Sequence, residues 1–312
     1  MDGDNFKIGL IGLGVIGSPI ANILYKYYKN NFYLIASKER KEKLKRRKIV
    51  INNERFSSNV ISSRNELRGD LDLLIVCIKN YSLKESLQDF INIIGDKTVI
   101  LPLQNGIYAY DFFCEKFKNN VVLRGYVQGP NTQMNGGNIT YTNTGVMHIG
   151  KTQNDLKDIA KKCFYMLENA GIDVVWEDNI KKMVWKKWML NVAGNSITAL
   201  TLTDYSFFKK SPEIQELCIQ AMNEFILVAQ HENVDLVEKD IDDVINYYIT
   251  YNGSKKTSML EDVLNNRRTE NEYLAGSLIR LAEKHGITTP MIRTLYLLIK
   301  IREKQYWGAD NE

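Results

Sequence analysis

The sequence predicts an α/β, doubly wound N-terminal domain followed by an all-α C-terminal domain. Three observations carry this. Short apolar runs alternate with helical stretches through the first half. The first run leads directly into Gly12-Leu13-Gly14-Val15-Ile16-Gly17. After Trp176 nearly every segment has helical periodicity. A strand–helix–strand rhythm builds a parallel sheet covered on both faces, and the glycine pattern at the first turn makes it Rossmann-type.

Phe6 to Ile11 reads as a buried strand, Ser18 to Lys29 as a helix and Phe32 to Ala36 as the second strand. Leu71 to Ile78 and Thr98 to Leu103 are further strands, with a helix around Leu83 to Ile94 between them. From Val121 to Ile149 short strands are punctuated by glycine turns at Gly136-Gly137 and Gly145. A helix from about Asp155 to Asn169 ends at Gly171, suited to a C′ position. Ile172 to Trp176 is the last strand. The boundary falls near Glu177 to Asn179, so residues 1–178 form the dinucleotide-binding domain and residues 179–312 the helical one. In the helical part, Ser211-Pro212 reads as an N-cap followed by proline at N1. Ser258-Met-Leu-Glu261 fits a capping box with Ser258 as N-cap. Pro290 to Tyr306 is long and amphipathic.

Composition narrows the function classes. A 312-residue chain with 25% charged and 44% apolar residues is that of a soluble globular protein of two domains. Its net charge of +4 does not by itself require nucleic acid or membrane. Cys77, Cys114, Cys163 and Cys218 form no CxxC pair and no metal-ligand spacing, so reduced thiols, a cytoplasmic location and no metal are expected. The start Met-Asp-Gly-Asp-Asn is unlike a signal peptide, and no apolar run reaches the ~18–20 residues of a membrane span.

Glycines at 12, 14 and 17 let the chain turn tightly and approach a pyrophosphate at the positive end of the following helix. A structural tight turn is the bland reading of the same residues. The second strand ends Ala36-Ser37-Lys38-Glu39-Arg40. It offers neither the carboxylate that usually holds the ribose of NAD nor an arginine at its tip for NADP. Lys38 or Arg40 can reach a phosphate, so NAD or NADP is expected, with NAD slightly favoured by Ser37. Eight basic residues lie between Lys38 and Lys48 without interleaved aromatics. A solvated helix face explains them better than a nucleic-acid patch.

Lys79 and Asn105 follow two of the parallel strands, at the edge that forms ligand crevices. Asn105-Gly106 is equally a turn pair. In the second half, Lys187, Asn191 and Asn195 recur at i, i+4 and i+8, which stacks them on one face of a helix. An ammonium and two carboxamides in one stripe can grip a polar substrate and supply a proton. Lys187 alone is indistinguishable from its neighbours Lys181, Lys182 and Lys186. Ser258 reads most simply as a cap and Glu270 as a solvated helix residue. His148, His231 and His285 have no ligand or triad spacing.

Together the glycine fingerprint, Cys77-Ile-Lys79, Gln104-Asn105-Gly106, Trp185-Lys-Lys187 with Asn191 and Asn195, Thr198-Ala-Leu200, Ser258-Met-Leu and Arg268-Thr-Glu270 resemble the ketopantoate reductase (2-dehydropantoate 2-reductase) family over nearly the whole chain. The resemblance implies an active site in the cleft between the two domains. It implies NAD(P)H-dependent reduction of a C3-branched 2-oxo acid to the D-2-hydroxy acid. Lys187 would be general acid and Glu270 its support. Asn191, Asn195 and Ser258 would bind substrate, and Lys79 and Asn105 would line the cleft near cofactor and substrate. Many relatives carry arginine where Ser37 stands. The wider family includes NAD-using D-2-hydroxyacid dehydrogenases of the mandelate type, so ketopantoate and mandelate-type substrates both stay open. Its partners would be a small 2-oxo or 2-hydroxy acid, with no nucleic acid and no membrane, and a homodimer is allowed. Three rivals remain: a β-hydroxyacid dehydrogenase, a non-catalytic dinucleotide-sensing module, and nucleic-acid binding through Lys38 to Lys48.

Overall fold

The computed structural model describes residues 6–46, 49–135, 137–150, 157–251 and 253–307. Met1 to Asn5, Arg47, Lys48, Gly136 and Asp155, which entered the sequence reading, lie outside them. The chain divides into two compact units, Met1–Lys181 and Lys182–Glu312. The division falls just beyond Glu177 to Asn179, in the first turn of a helix, where Ile180 lies against Gly150 and Lys182 pairs with Asp240.

The first unit runs β1 (Ile8–Ile11), α1 (Gly17–Tyr28), β2 (Phe32–Ile35), α2 (Lys38–Arg46), β3 (Ile49–Ile51), β4 (Glu54–Phe56), β5 (Asn59–Ile61), β6 (Leu73–Val76), α3 (Asn80–Phe90), β7 (Val99–Pro102) and α4 (Tyr108–Lys116). It continues with β8 (Gly125–Gln128), β9 (Asn131–Asn135), β10 (Asn138–Asn143), β11 (Val146–Gly150), α5 (Lys157–Asn169) and β12 (Val174–Glu177). Five strands form a parallel sheet in the order β5-β2-β1-β6-β7. Ile11 at the end of β1 stands beside Ile35 of β2 on one side and Val76 of β6 on the other. The strand order therefore reverses at β1, which opens a crevice at the carboxyl ends of β1 and β6. Alternation along the strands sends Ile8, Leu10, Leu73 and Ile75 into a core shared with Ala21 and Leu24 of α1. It sends Ile11, Leu74 and Val76 into a second core with Leu83, Leu87 and Phe90 of α3. Both faces are covered, as the near-continuous apolar runs predict.

The strands are shorter than those runs. Phe6, Leu71 and Thr98 are buried but stand outside the ladders, because an apolar run records burial and not hydrogen bonding. A four-stranded sheet β4-β3-β10-β9 and a three-stranded sheet β12-β11-β8 complete the unit. The three-residue strands β3, β4 and β5 are too short to leave a readable alternation. Gly171 (φ +90°) ends α5 in a Schellman turn, with Gly171 N–H donating to Glu168 O and Ile172 N–H to Leu167 O.

The second unit is all-helical after the start of α6 (Ile180–Leu190), with α7 (Ser196–Thr201), α8 (Pro212–His231), α9 (Glu238–Thr250), α10 (Ser258–Leu264), α11 (Ala275–Lys284) and α12 (Pro290–Trp307). Ser211 caps α8 through Ile214 N–H with Pro212 at N1. Trp188 is fully buried and packs edge-on to Trp185 and Phe225. Between α6 and α7 the chain does not continue as plain α-helix: Asn191–Asn195 is a π segment. Its cause lies in α9. A side chain at Gly194 would overlap the hydroxyl of Tyr248, which donates to Leu190 O at 3.1 Å. A tyrosine ring thus occupies the space above a glycine, and the backbone widens around it. Among the described residues no helix is long and apolar enough to cross a membrane.

Gly194→Ala should therefore destabilise the protein by roughly 1–3 kcal/mol, the scale of overpacking a closed core. Chemical denaturation measures this, and an unchanged midpoint would show that Tyr248 can withdraw.

Candidate active site

The three fingerprint glycines have separate physical reasons to be glycine. Gly12 has φ +102°, and a Cβ there would lie 2.7 Å from the carbonyl carbon of Cys77. A Cβ on Gly17 would overlap the carbonyl of Gly12 and press on Cys77 Cβ at 2.9 Å. Both are demanded by the close approach of the turn, α1 and β6. Gly14 is different, because a Cβ there would meet nothing within 4 Å. Space, not packing, surrounds it. Val15 is exposed and Leu13 buried. The N-cap position of α1, Ile16, makes no side-chain capping bond, and the first turn holds no acidic residue. The donors at a positive helix end are thus left to an anion beside an open glycine, and these residues fit a pyrophosphate.

Around this turn the carboxyl ends of the strands hold the other predicted residues of the first unit. Lys79 occupies the N-cap position of α3 with extended backbone (φ −65°, ψ 146°). Buried Asn80 donates its side-chain amide to Asn105 O at 3.0 Å, which ties the loops after β6 and β7 together. Gly106 has φ +80°, so Asn105-Gly106 does form a turn as well. Gln104 is 8% exposed, and neither polar atom of its carboxamide has a hydrogen-bond partner among the described residues. At the end of β2, Ser37 Oγ accepts from Arg40 N–H at 3.2 Å and so caps α2. Helix α2 buries no residue. Its Lys43 and Lys45 pair with Glu39 and Glu42, and Lys41 pairs with Glu66. Exposed Lys38 and Arg40 have no carboxylate partner among the described residues. The basic run is largely a self-neutralised, solvated face, with two cations unspent beside Ser37.

The second unit gathers Lys187, Asn191, Asn195, Ser258 and Glu270. Lys187 is partly buried near the end of α6. Its neighbours Lys182 and Lys186 both pair with Asp240, at 3.0 and 3.1 Å. Burial pulls the Lys187 ammonium down to about 8, opposed by the negative charge of Glu270 and assisted by the positive charge of Lys255. Glu270 is 6% exposed. It stands in a turn before α11, not on a solvated helix face as its sequence context suggests. That turn is pinned on three sides. Thr269 N–H donates to Glu303 at 2.7 Å, Asn271 Nδ2 to Tyr296 O at 2.9 Å, and the Trp188 indole N–H to Leu274 O at 3.3 Å. The last bond links the turn of Glu270 to the residue next to Lys187.

Asn191 and Asn195 are 5% and 3% exposed. Asn195 Nδ2 donates to Asn191 Oδ1 at 3.0 Å and reaches Ser258 Oγ at 3.5 Å. The π segment keeps the two carboxamides in contact although the regular α-helical stacking is interrupted. Asn191 Nδ2 has no acceptor among the described residues. A buried donor left unmet costs about 1–3 kcal/mol, which an acceptor on a ligand would offset. Ser258 is not the cap of α10, contrary to the sequence reading. Thr257 holds that position, and its Oγ1 accepts from Leu260 N–H at 3.2 Å. Thr257 also bonds Thr198 Oγ1 at 2.8 Å. With the cap supplied one residue earlier, the exposed Ser258 hydroxyl stays available beside the asparagines. Two of the histidines face carboxylates: His148 bonds Glu177 at 2.7 Å while stacked on Tyr126, and His285 bonds Glu232 at 2.6 Å.

Two residues of this site escaped the sequence reading. Thr257 was hidden because Ser258, with Glu261 three residues later, matches the capping box, whereas Thr257 is followed at that distance by Leu260. Lys255 sits in the polar run Gly253-Ser-Lys-Lys-Thr257 and resembles its exposed neighbour Lys256 until burial separates them.

With this geometry in place, residues 8–154 match the family Ketopantoate reductase PanE/ApbA, and residues 179–303 match Ketopantoate reductase PanE/ApbA C terminal. The 2-dehydropantoate 2-reductase of Yersinia pestis is 26% identical over 259 residues, 83% of each chain. The structure of 2-dehydropantoate 2-reductase from Methylococcus capsulatus superposes with a TM-score of 0.84 at 23% identity, over 98% of this chain and 99% of that one. A complex of D-mandelate dehydrogenase with NADH gives 0.84 at 24% identity, over 96% and 100%. The chain belongs to the ketopantoate reductase family, and is an oxidoreductase of that class.

The glycine assignments separate by experiment. Gly14→Ala should leave thermal stability nearly unchanged while weakening NAD(P)H binding in a fluorescence titration. Gly17→Ala should lower stability by roughly 1–3 kcal/mol because it forces backbone apart. Equal loss of stability in both would remove the reason for assigning Gly14 to the ligand.

Proposed function

We propose that the protein catalyses NAD(P)H-dependent reduction of a C3-branched 2-oxo acid to the D-2-hydroxy acid, with Lys187 as general acid. The observation that carries this reading is a partly buried lysine whose ammonium is drawn down to about 8 beside a buried carboxylate. A lysine in that state is protonated at neutral pH yet gives its proton up more readily than one in water. When bound, a reduced nicotinamide dinucleotide supplies the hydride to C2 of the substrate. Negative charge then grows on the carbonyl oxygen, where Lys187 stabilises it and delivers the proton. Glu270 keeps the ammonium charged until then and holds its orientation. Asn191, Asn195 and Ser258 bind the polar groups of the acid, and the unmet Asn191 donor is the group that supports such contacts. Gly12 to Gly17, Ser37, Lys38, Lys79 and Asn105 bind the dinucleotide, with Asn105 also facing substrate.

Steady-state kinetics with both cofactors against ketopantoate, 2-oxoisovalerate, phenylglyoxylate and pyruvate tests the substrate class. Branched or aryl acids should be preferred, and faster turnover of pyruvate than of all three others would overturn the proposal. Lys187→Ala should lower kcat by roughly 10²–10⁴-fold, the usual worth of a positioned acid. Near-normal turnover would refute the assignment.

The pH profile has a defined sign. Reduction needs protonated Lys187, so its rate should be level in the neutral range and fall as pH rises through about 8. Oxidation of the hydroxy acid needs the neutral amine and should rise over the same range. Glu270→Gln removes the charge that favours the ammonium, so the alkaline limb should move to lower pH. An unmoved limb would separate Glu270 from Lys187.

For the cofactor, Ser37 carries no guanidinium and its hydroxyl is engaged in capping α2, so NAD(H) should be used at least as well as NADP(H). Ser37→Arg should shift preference toward NADP(H) by roughly 10–100-fold in kcat/KM, the worth of a charge-assisted hydrogen bond. A strong NADPH preference in the unmodified enzyme would assign the 2′-phosphate to Lys38 and Arg40 instead.

A further inference from the structure

We propose that Lys255 is the counter-ion for the substrate's carboxylate, a second cation built into the Lys187 site. The inference rests on the reductase reading and names which residue answers the acid group common to all 2-oxo acids. Lys255 lies in the segment leading into α10, three residues before Ser258. That segment is held against α7, the π segment and the short turn after α7. Lys255 O accepts from Tyr205 N–H at 3.0 Å, Thr257 bonds Thr198, and Ser258 meets Asn195. Its side chain is partly buried, with the ammonium 5.6 Å from the ring centre of Tyr251. No carboxylate of the described residues pairs with it.

The surrounding basic residues behave differently. Lys182 and Lys186 pair with Asp240, exposed Lys256 approaches Glu261 at 3.9 Å, and Arg267 pairs with Asp262 at 2.9 Å. Lys255 alone of these is withdrawn from water without an acid. It is also near enough to Lys187 to disfavour that ammonium, and burial lowers its own proton affinity. Two ammonium groups and the one carboxylate of Glu270 leave the site with a single surplus positive charge. A 2-oxo acid brings one negative charge. Glu270 already offsets Lys187, so the uncompensated cation is Lys255, and an ion withdrawn from water calls for a partner. Division of labour follows: Lys255 takes the carboxylate, and Lys187 is left for the carbonyl oxygen.

The test compares the full-length enzyme with Lys255→Gln and Lys255→Arg, on a 2-oxo acid that it turns over and on the methyl ester of that acid. Lys255→Gln should raise KM for the acid by roughly 10–100-fold, the loss of a charge-assisted pair. The ester's KM and the kcat for the acid should change little, and Lys255→Arg should restore KM for the acid. The alkaline limb of reduction should move to higher pH in Lys255→Gln, because a positive neighbour of Lys187 is gone. A purely structural lysine would weaken acid and ester alike and leave the limb in place, and that result would overturn the proposal. Calorimetric titration with oxamate, an unreactive 2-oxo acid mimic, in the presence of dinucleotide gives a readout independent of turnover. Oxamate binding weakened by Lys255→Gln supports the carboxylate site even if no 2-oxo acid is reduced, in which case the reductase reading alone fails. Turnover by the native enzyme with acid KM and oxamate affinity unchanged in Lys255→Gln, or no oxamate binding to the native protein, sinks the Lys255 inference.

Discussion

An ammonium drawn out of water has to be kept chargeable, and the second unit is organised around that constraint at Lys187. Burial disfavours the charged form. The opposing charge is Glu270, and it is useful only if it cannot swing away. The turn that carries it is therefore tied down by Glu303, by the backbone of Tyr296 and by the indole of Trp188. Trp188 makes the link economical. It is the next residue after Lys187, it is fully buried in an aromatic cluster with Trp185 and Phe225, and its one polar atom bonds the segment following Glu270. Hydrophobic packing thus sets the spacing of two charges, which long side chains on loops would leave loose.

The glycine turn of the first unit obeys a related logic of what is left open. Gly12 and Gly17 are explained completely by the protein around them, since backbone and Cys77 occupy the space where side chains would stand. Gly14 has no such explanation within the fold. The same holds for Asn191 Nδ2, a buried donor with no acceptor among the described residues, and for the carboxamide of Gln104. Core groups are normally satisfied. An open glycine beside an uncapped helix end, or a buried amide without a protein partner, leaves room and hydrogen-bonding capacity that a ligand can use.

Small displacements of role along the chain alter what each residue can do. Thr257 caps α10 and so releases Ser258, one position later, from the duty its sequence context suggests. Tyr248 fills the space over Gly194 and opens a π segment, which leaves Asn191 and Asn195 bonded to each other within an otherwise helical run. On α2, the carboxylates of Glu39 and Glu42 and that of Glu66 engage three of the lysines, which leaves Lys38 and Arg40 beside the end of β2 and Arg46 at the far end of the helix. In each case a neighbour in space, not in sequence, decides which polar group remains free to bind something else.

The sequence by itself determined the class of the fold, because apolar runs, helical periodicity and a glycine turn are local and additive signals. The parallel strands β1, β2, β6 and β7, the ending of α5 at Gly171 and the capping of α8 by Ser211 were all legible for that reason. The candidate residues were legible as well, from the spacing of Lys187, Asn191 and Asn195 and from the resemblance that drew in Ser258 and Glu270. Their states were not. Whether Glu270 is solvated or buried, whether Ser258 caps or Thr257 does, and which of Lys182, Lys186, Lys187 and Lys255 lacks a paired carboxylate depend on residues tens of positions away. Desolvation and charge pairing are set by distance through space, so only the tertiary structure could separate lysines that look alike in the chain.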